Sequence, residues 1–418
     1  MEGRQRCVGW KPRLDTLTAD DRLYFFSYGL FLVISILSNS FYYRFYEGKP
    51  CMVLQILCML ILVGYEYRNG FLKAQQWVPG IAFAIMTALS LRVAFGSMTR
   101  LVPMMFPYIY CGRRIPFAKI IRFTLKYTII TVAVIVFSSY LGLIDNVVMY
   151  KAGRVREFMG FRYALYLPGI LLNVTAMWVY LRKDKVDLIG TLFWGLVNWY
   201  VYYMTESRIS FVIAEGLLVI ALLMKWLPKV VEKLRPLWAV LIPTFLLCGG
   251  ASVVLTILYD WSIPWMRKIN GILEGRLNLG QYSMREYGVT LFGQEIEWVG
   301  NGLDSAGNSV EAMYDYVDNL YVKILVRYGI VFAIAMAVFT TWAMYRLWKR
   351  REYLILIISA TVAAHCLLDD LSFALHYNTF WIAMGFALFV SQNLDWDGEK
   401  AMVRPPDGGG SRYGPAAR

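Results

Sequence analysis

Residues 259–320 read YDWSIPWMRKINGILEGRLNLGQYSMREYGVTLFGQEIEWVGNGLDSAGNSVEAMYDYVDNL, a polar interruption between apolar runs long enough to cross a bilayer. Arg267, Lys268, Arg276 and Arg285 come first; Asp304, Glu311, Asp315 and Asp318 follow, with aromatics and glycines between them. A loop of this length is more often functional than a simple connector. Residues 237–258 lead into it and residues 321–345 lead out, both as apolar helices, so the loop sits between two membrane spans.

Working outward, the whole chain follows the same pattern. Hydrophobic residues make up 58% of the 418 and charged residues only 17%, more apolar sequence than one soluble core can hide. The expected fold is an all-α polytopic membrane protein with about twelve transmembrane helices. The windows fall at 23–43, 51–65, 77–95, 97–111, 121–144, 163–181, 186–205, 209–227, 237–258, 321–345, 353–368 and 374–392. The fourth carries Pro103 and Pro107 and reads equally as a re-entrant segment. The chain then divides into a cytoplasmic arm (1–22), spans one to nine (23–258), one large extracytoplasmic loop (259–320), spans ten to twelve (321–393) and a disordered cytoplasmic tail rich in Gly, Pro and Arg (394–418). No cleavable signal peptide is expected, because Asp15, Asp20 and Asp21 stand where its apolar core would be.

The net charge of +13 sits largely in clusters between the apolar runs, as positive charge retained in cytoplasmic loops does, and no nucleic-acid partner is expected. Arg4 to Arg13, Arg68 with Lys73, Arg113 to Arg122, Arg182 to Lys185, Lys225 to Arg235, and Arg346 to Arg351 alternate onto one side, which places both termini in the cytoplasm. Residues 113–122, RRIPFAKIIR, read as a basic amphipathic helix lying under the inner leaflet. None of the six cysteines falls in the long loop and only His365 and His376 are present, so neither a disulfide framework nor a zinc site is expected. No Walker A loop is present, which counts against an ATP-driven transporter; no cofactor is expected.

The same charge rule makes the outer arginines anomalous. Lys151, Arg154, Arg156 and Arg162 sit in one outer loop, Arg208 at the start of the eighth span, and Arg267, Lys268, Arg276 and Arg285 in the long loop. Guanidinium matches phosphate through paired hydrogen bonds and stays charged at any working pH. At an outer membrane face the natural anion is a lipid-linked phosphate or pyrophosphate. Arg208 beside Glu206 also reads as an interfacial ion pair. Arg276 and Arg285 are nine apart, roughly opposite faces of a helix, and converge only if the segment bends. Arg92 and Glu215 are intramembrane charges that fit either function or a buried pair holding helices together.

Acid–base groups come from the ends of the last spans. AAHCLLDDLSFALHYN puts His365 and Asp369 at i and i+4, with Asp370 adjacent and His376 in the following outer turn. A structural hydrogen bond explains His365 and Asp369 as well as catalysis does. Asp318, just before the tenth span, reads as a helix cap or as a site acid.

At these residues the sequence resembles the bacterial O-antigen and capsular polysaccharide polymerases of the Wzy type, grouped with the O-antigen ligases. The likeness rests on REFMGFRY (156–163), TESRIS (205–210), GRLNLGQYSMREYGVTLFGQEI (275–296) and YDYVDNLYVKILVRYGI (314–330), in that order, within a topology of many spans and one large outer loop. The resemblance implies a GT-C-like fold in the bacterial plasma membrane and an undecaprenyl pyrophosphate-linked oligosaccharide as donor, held by Arg156, Arg208, Arg276 and Arg285. The related ligases use an outer-loop histidine as base; residues 259–320 contain none, which leaves Asp369, His376, Asp318 and His365 as candidates. A ligase acting on another acceptor shares this donor chemistry. A lipid-linked glycan flippase instead requires charge spread along a central path.

Overall fold

A computed structural model describes residues 19–69, 77–93, 101–151, 153–309 and 314–389. The N-terminal arm up to residue 18 and the tail from 390 lie outside the described residues. The chain is mostly helical: α1 (Ala19–Leu37), α2 (Lys49–Arg68), α3 (Trp77–Val93), α4 (Leu101–Cys111), α5 (Phe117–Tyr140), then a hairpin of β1 (Val148–Lys151) and β2 (Arg154–Glu157). There follow α6 (Tyr166–Arg182), α7 (Leu188–Thr205), α8 (Arg208–Trp226), α9 (Pro228–Lys233), α10 (Arg235–Trp238) and α11 (Thr244–Leu258). The long loop contributes α12 (Pro264–Ile272) and α13 (Arg276–Tyr287), and the chain ends in α14 (Leu320–Lys323), α15 (Gly329–Lys349), α16 (Tyr353–His365) and α17 (Phe380–Phe389). The small antiparallel hairpin is a departure from the all-α expectation, confined to a connection between helices.

Among the described residues, five helical segments are long and apolar enough to cross a membrane: Lys49–Arg68, Phe117–Tyr140, Arg208–Trp226, Arg235–Leu258 and Leu320–Lys349. Shorter apolar helices cover Gly80–Val93 and Tyr353–His365. Of the expected fourth span, residues 97–100 lie outside the described residues and the rest forms α4, whose 11 residues reach only about 16 Å at 1.5 Å per residue, with Pro107 inside it. The helices pack around a continuous core that includes Tyr24, Tyr28, Tyr108, Phe106, Phe332 and Trp381. One polar chain crosses three helices: Thr175 donates to Asn198 and Asn198 to Glu215, so Glu215 ties α8 to α7. Arg92 donates instead to the Phe292 carbonyl of the long loop.

The basic segment 113–122 is not a surface helix. Residues Gly112–Arg114 form a tight turn, α5 starts at Phe117, and Arg113 is 2% exposed. Glu66 of α2 accounts for the difference: its carboxylate accepts from Arg113 and Arg114, while Arg113 also donates to the Tyr110 carbonyl and stacks on the Tyr110 ring. A buried guanidinium requires such a partner, and Glu66 lies 47 positions away in sequence.

At the opposite end of the array the long loop is folded and pinned. The last long span opens into a π-helical turn at Ile324–Tyr328 before α15 restarts at Gly329. The loop inserts there: Ile330 and Val331 donate to Thr290 and Leu291, and Gln294 donates to Arg327 through its amide and to Val326 through its side chain. Gly293 and Gly329 both have positive φ, and a Cβ on Gly293 would lie 2.5 Å from the Arg327 oxygen. Only glycine permits this approach.

Candidate functional site

Breaks in the helix array at this end build one cavity of about 230 Å³. Glu206, in a left-handed conformation, ends α7 and lets α8 restart at Arg208. Arg208, Ile209 and Ser210 therefore line the cavity as the first turn of a 19-residue helix, where backbone amides lack intrahelical acceptors. Arg156 enters from β2. Two successive left-handed residues, Glu274 and Gly275, turn the chain from α12 into α13 and bring Arg276 to the helix start. Asn270 fixes that corner: its side-chain oxygen accepts from Leu277 and Asn278, and its amide donates to Tyr259.

The Arg276 guanidinium is buried and directed. Its Nε donates to the Leu368 carbonyl at 2.5 Å and one terminal nitrogen to the Leu273 carbonyl at 3.2 Å and to the Glu274 carboxylate at 3.4 Å. The other stands 4.0 Å from the Asp318 carboxylate, beyond hydrogen-bond range, and so keeps donor capacity toward the cavity. Among the described residues, neither Arg156 nor Arg208 has a carboxylate within salt-bridge range.

Carboxylates face these arginines. Asp318 accepts from the Tyr314 hydroxyl at 2.9 Å. It does not cap the following helix, because Asn319 takes that place, accepting from the Tyr321 and Val322 amides. Asp369, just beyond α16, accepts from the Leu371 amide through one oxygen and holds the other 3.8 Å from His365 Nε2. His365 Nδ1 lies 3.0 Å from the Ser372 hydroxyl, so the i, i+4 pair is structurally supported and also borders the cavity. Burial pushes the Asp369 carboxyl up to about 7, with Asp370 adding to the rise and the Leu371 amide, Arg276 and Lys323 opposing it. Burial likewise pushes Asp318 up to about 6, again helped by Asp370 and opposed by Arg276. Asp369 adds to the rise at Asp318, and both carboxyls are able to hold or accept a proton near neutrality.

Six of the eight residues expected from sequence thus border one cavity: Arg156, Arg208, Arg276, Asp318, His365 and Asp369. The structure does not bring in the other two. Arg285 lies on an exposed face of α13, whereas the buried face carries Arg276, Leu277, Gly280 and Ser283; the helix runs unbroken, so the nine-residue spacing keeps the arginines apart. His376 is buried, 1% exposed, with Asn39 at 2.8 Å from Nε2. Sequence reasoning missed Lys323, which forms a buried pair with Asp370 and also donates to the Tyr316 hydroxyl. Its one signal was a lysine in the first turn of an apolar span, YVKILV. Tyr163 and Tyr314, which also line the cavity, carried no signal beyond being aromatic.

Comparison with protein-family models, curated proteins and solved structures finds no match to this chain.

Proposed function

We propose that this protein is a membrane glycosyltransferase, a polysaccharide polymerase that moves a growing glycan from undecaprenyl pyrophosphate to the non-reducing end of a lipid-linked repeat unit. In this reading it is a bacterial plasma-membrane protein of twelve spans and GT-C-like fold, both termini lie in the cytoplasm, and the cavity opens at the outer face. The observation that carries the reading is a single cavity whose basic wall (Arg156, Arg208, Arg276 and the first turn of α8) meets an acidic one (Asp318 and Asp369) where Arg276 stands 4.0 Å from Asp318, with Glu206 and Glu274 also in its lining.

The chemistry follows from that division. A hydroxyl of the acceptor attacks the anomeric carbon of the donor sugar; the new carbon–oxygen bond forms as the bond to pyrophosphate breaks. Negative charge grows on the leaving group, where prepositioned guanidinium and amide donors stabilise it. The hydroxyl proton passes to Asp369, whose outward oxygen has no hydrogen-bond donor among the described residues closer than His365, at 3.8 Å. Asp318 shares the charge, and His365 positions Asp369. The donor is already activated, so the step needs no nucleotide.

The concentration of these charges at one end of the helix array, rather than along a central path, favours transfer over transport. Purified protein supplied with a lipid-pyrophosphate repeat unit is expected to build a glycan ladder without nucleotide. Movement of labelled lipid across the bilayer with no new glycosidic bond would replace the polymerase with a flippase. Transfer of one finished glycan to another acceptor, without extension, would make it a ligase.

A further inference from the structure

A second chamber of about 290 Å³ adjoins the first and shares Arg276, Asp318 and Asp369 with it. Its remaining walls differ in kind. Where the first cavity has Arg156 and Arg208, the second has Trp298, Tyr316 and Tyr166, with Gly300 and Gly302 beside them. The aromatic wall is held rigidly: Trp298 and Tyr316 meet edge to face with centroids 5.9 Å apart, and Lys323 lies 5.0 Å from the Trp298 ring and 4.2 Å from that of Tyr316. Lys323 is in turn committed to Asp370, which accepts from Tyr316 as well. The chamber therefore presents aromatic surface and carboxylates, with Arg276 as its cation at the junction.

We infer that this second chamber is the acceptor subsite, and that it takes the non-reducing terminal sugar of the incoming glycan as an uncharged sugar rather than a uronic acid. The inference rests on the polymerase reading of the first cavity. Aromatic rings offer an apolar face to the C–H side of a pyranose while their edges and hydroxyls meet its polar rim. Asp369 and Asp318 stand where the two chambers join, which sets the acceptor hydroxyl beside the group that takes its proton and in line with a donor sugar entering from the basic side. A carboxylate on that terminal sugar would face Asp318 and Asp369, with Lys323 and Asp370 already neutralising one another, and like-charge repulsion would disfavour it.

The test separates the two chambers by ligand. The repeat-unit oligosaccharide, released from its lipid and free of phosphate, is titrated against the purified full-length protein in parallel with undecaprenyl pyrophosphate. Trp298→Ala is expected to weaken oligosaccharide binding about tenfold or more and to leave the affinity for undecaprenyl pyrophosphate unchanged, which also shows that the variant is folded. Trp298→Phe is expected to recover most of the lost binding. Composition analysis of the released repeat is expected to find no carboxylate on its non-reducing terminal sugar. Oligosaccharide binding unaffected by Trp298→Ala, with undecaprenyl pyrophosphate still bound, would overturn the acceptor assignment and leave the polymerase reading standing; a terminal uronic acid would overturn the charge argument. Failure of the wild-type protein to bind either ligand would remove the polymerase reading itself.

Discussion

The two ends of the helix array handle arginine in opposite ways. At one end Arg113 is buried against Glu66, a backbone carbonyl and an aromatic ring, and Glu66 is held by a second arginine. At the other, Arg156 and Arg208 border open space, and Arg276 is anchored along one edge, where Glu274 at 3.4 Å is its half-exposed partner, while its second terminal nitrogen stays 4.0 Å from Asp318. The first arrangement is closed and holds helices together. The second is held in place yet incomplete, as a binding site for an external anion has to be. The contrast teaches that local charge alone does not separate structural arginines from functional ones; what counts is whether the fold supplies the counter-charge.

The comparison breaks most sharply under alanine substitution. Arg113→Ala leaves Glu66 buried with only Arg114, and is expected to cost about 3 kcal/mol or more of stability, seen as a lower melting temperature. Arg276→Ala is expected to reduce glycan extension by about a hundredfold or more, measured as an initial rate on protein of confirmed insertion. If Arg276→Ala instead retains full activity, the open-site description of that end fails.

A pH profile sharpens the acidic side. Asp369 has to be ionised to accept a proton, and its carboxyl is pushed up to about 7. Activity is therefore expected to rise as pH increases through about 7 and to be lost below it. Asp370→Asn removes the neighbouring negative charge and frees Lys323 to favour the ionised form, so the rise should move to lower pH. An unshifted profile, or one that falls through this range, would take the base role away from Asp369.

Smaller effects follow from the loop and the outlying residues. Gly293→Ala forces a side chain against the Arg327 carbonyl at a positive φ, and is expected to cost about 2 kcal/mol and to loosen the loop, read as faster amide exchange over residues 288–296. Arg285→Ala is expected to change the rate less than twofold, since that side chain is exposed and borders neither chamber. A large loss there would mean that α13 presents a different face to the substrate.

Much of this layout was legible in the sequence because hydropathy and charge asymmetry are local signals. The polar stretch 259–320, the apolar segments around it and the arginines of TESRIS and GRLNLG are all read directly. The burial of Arg113 was not, because its partner Glu66 is distant in the chain. Nor was the exclusion of His376, which depends on α1 bringing Asn39 against it. Asp318 and Asp369 were identified as residues but not as neighbours, since their approach depends on α14 and α16 packing beside α11 and on the Leu320 amide reaching the Cys366 carbonyl. The second chamber had no sequence signature, being made of ordinary aromatics from the long loop and the start of α6.

The most direct measurement is the affinity for undecaprenyl pyrophosphate across two variants, Arg208→Ala and Asp369→Asn. If the basic wall holds the pyrophosphate and the acidic wall only takes the proton, Arg208→Ala should bind about tenfold more weakly or worse, while Asp369→Asn should bind at least as tightly as the wild type and yet extend no glycan. Undiminished binding in Arg208→Ala, or lost binding in Asp369→Asn, would contradict the division of labour on which the proposed function rests.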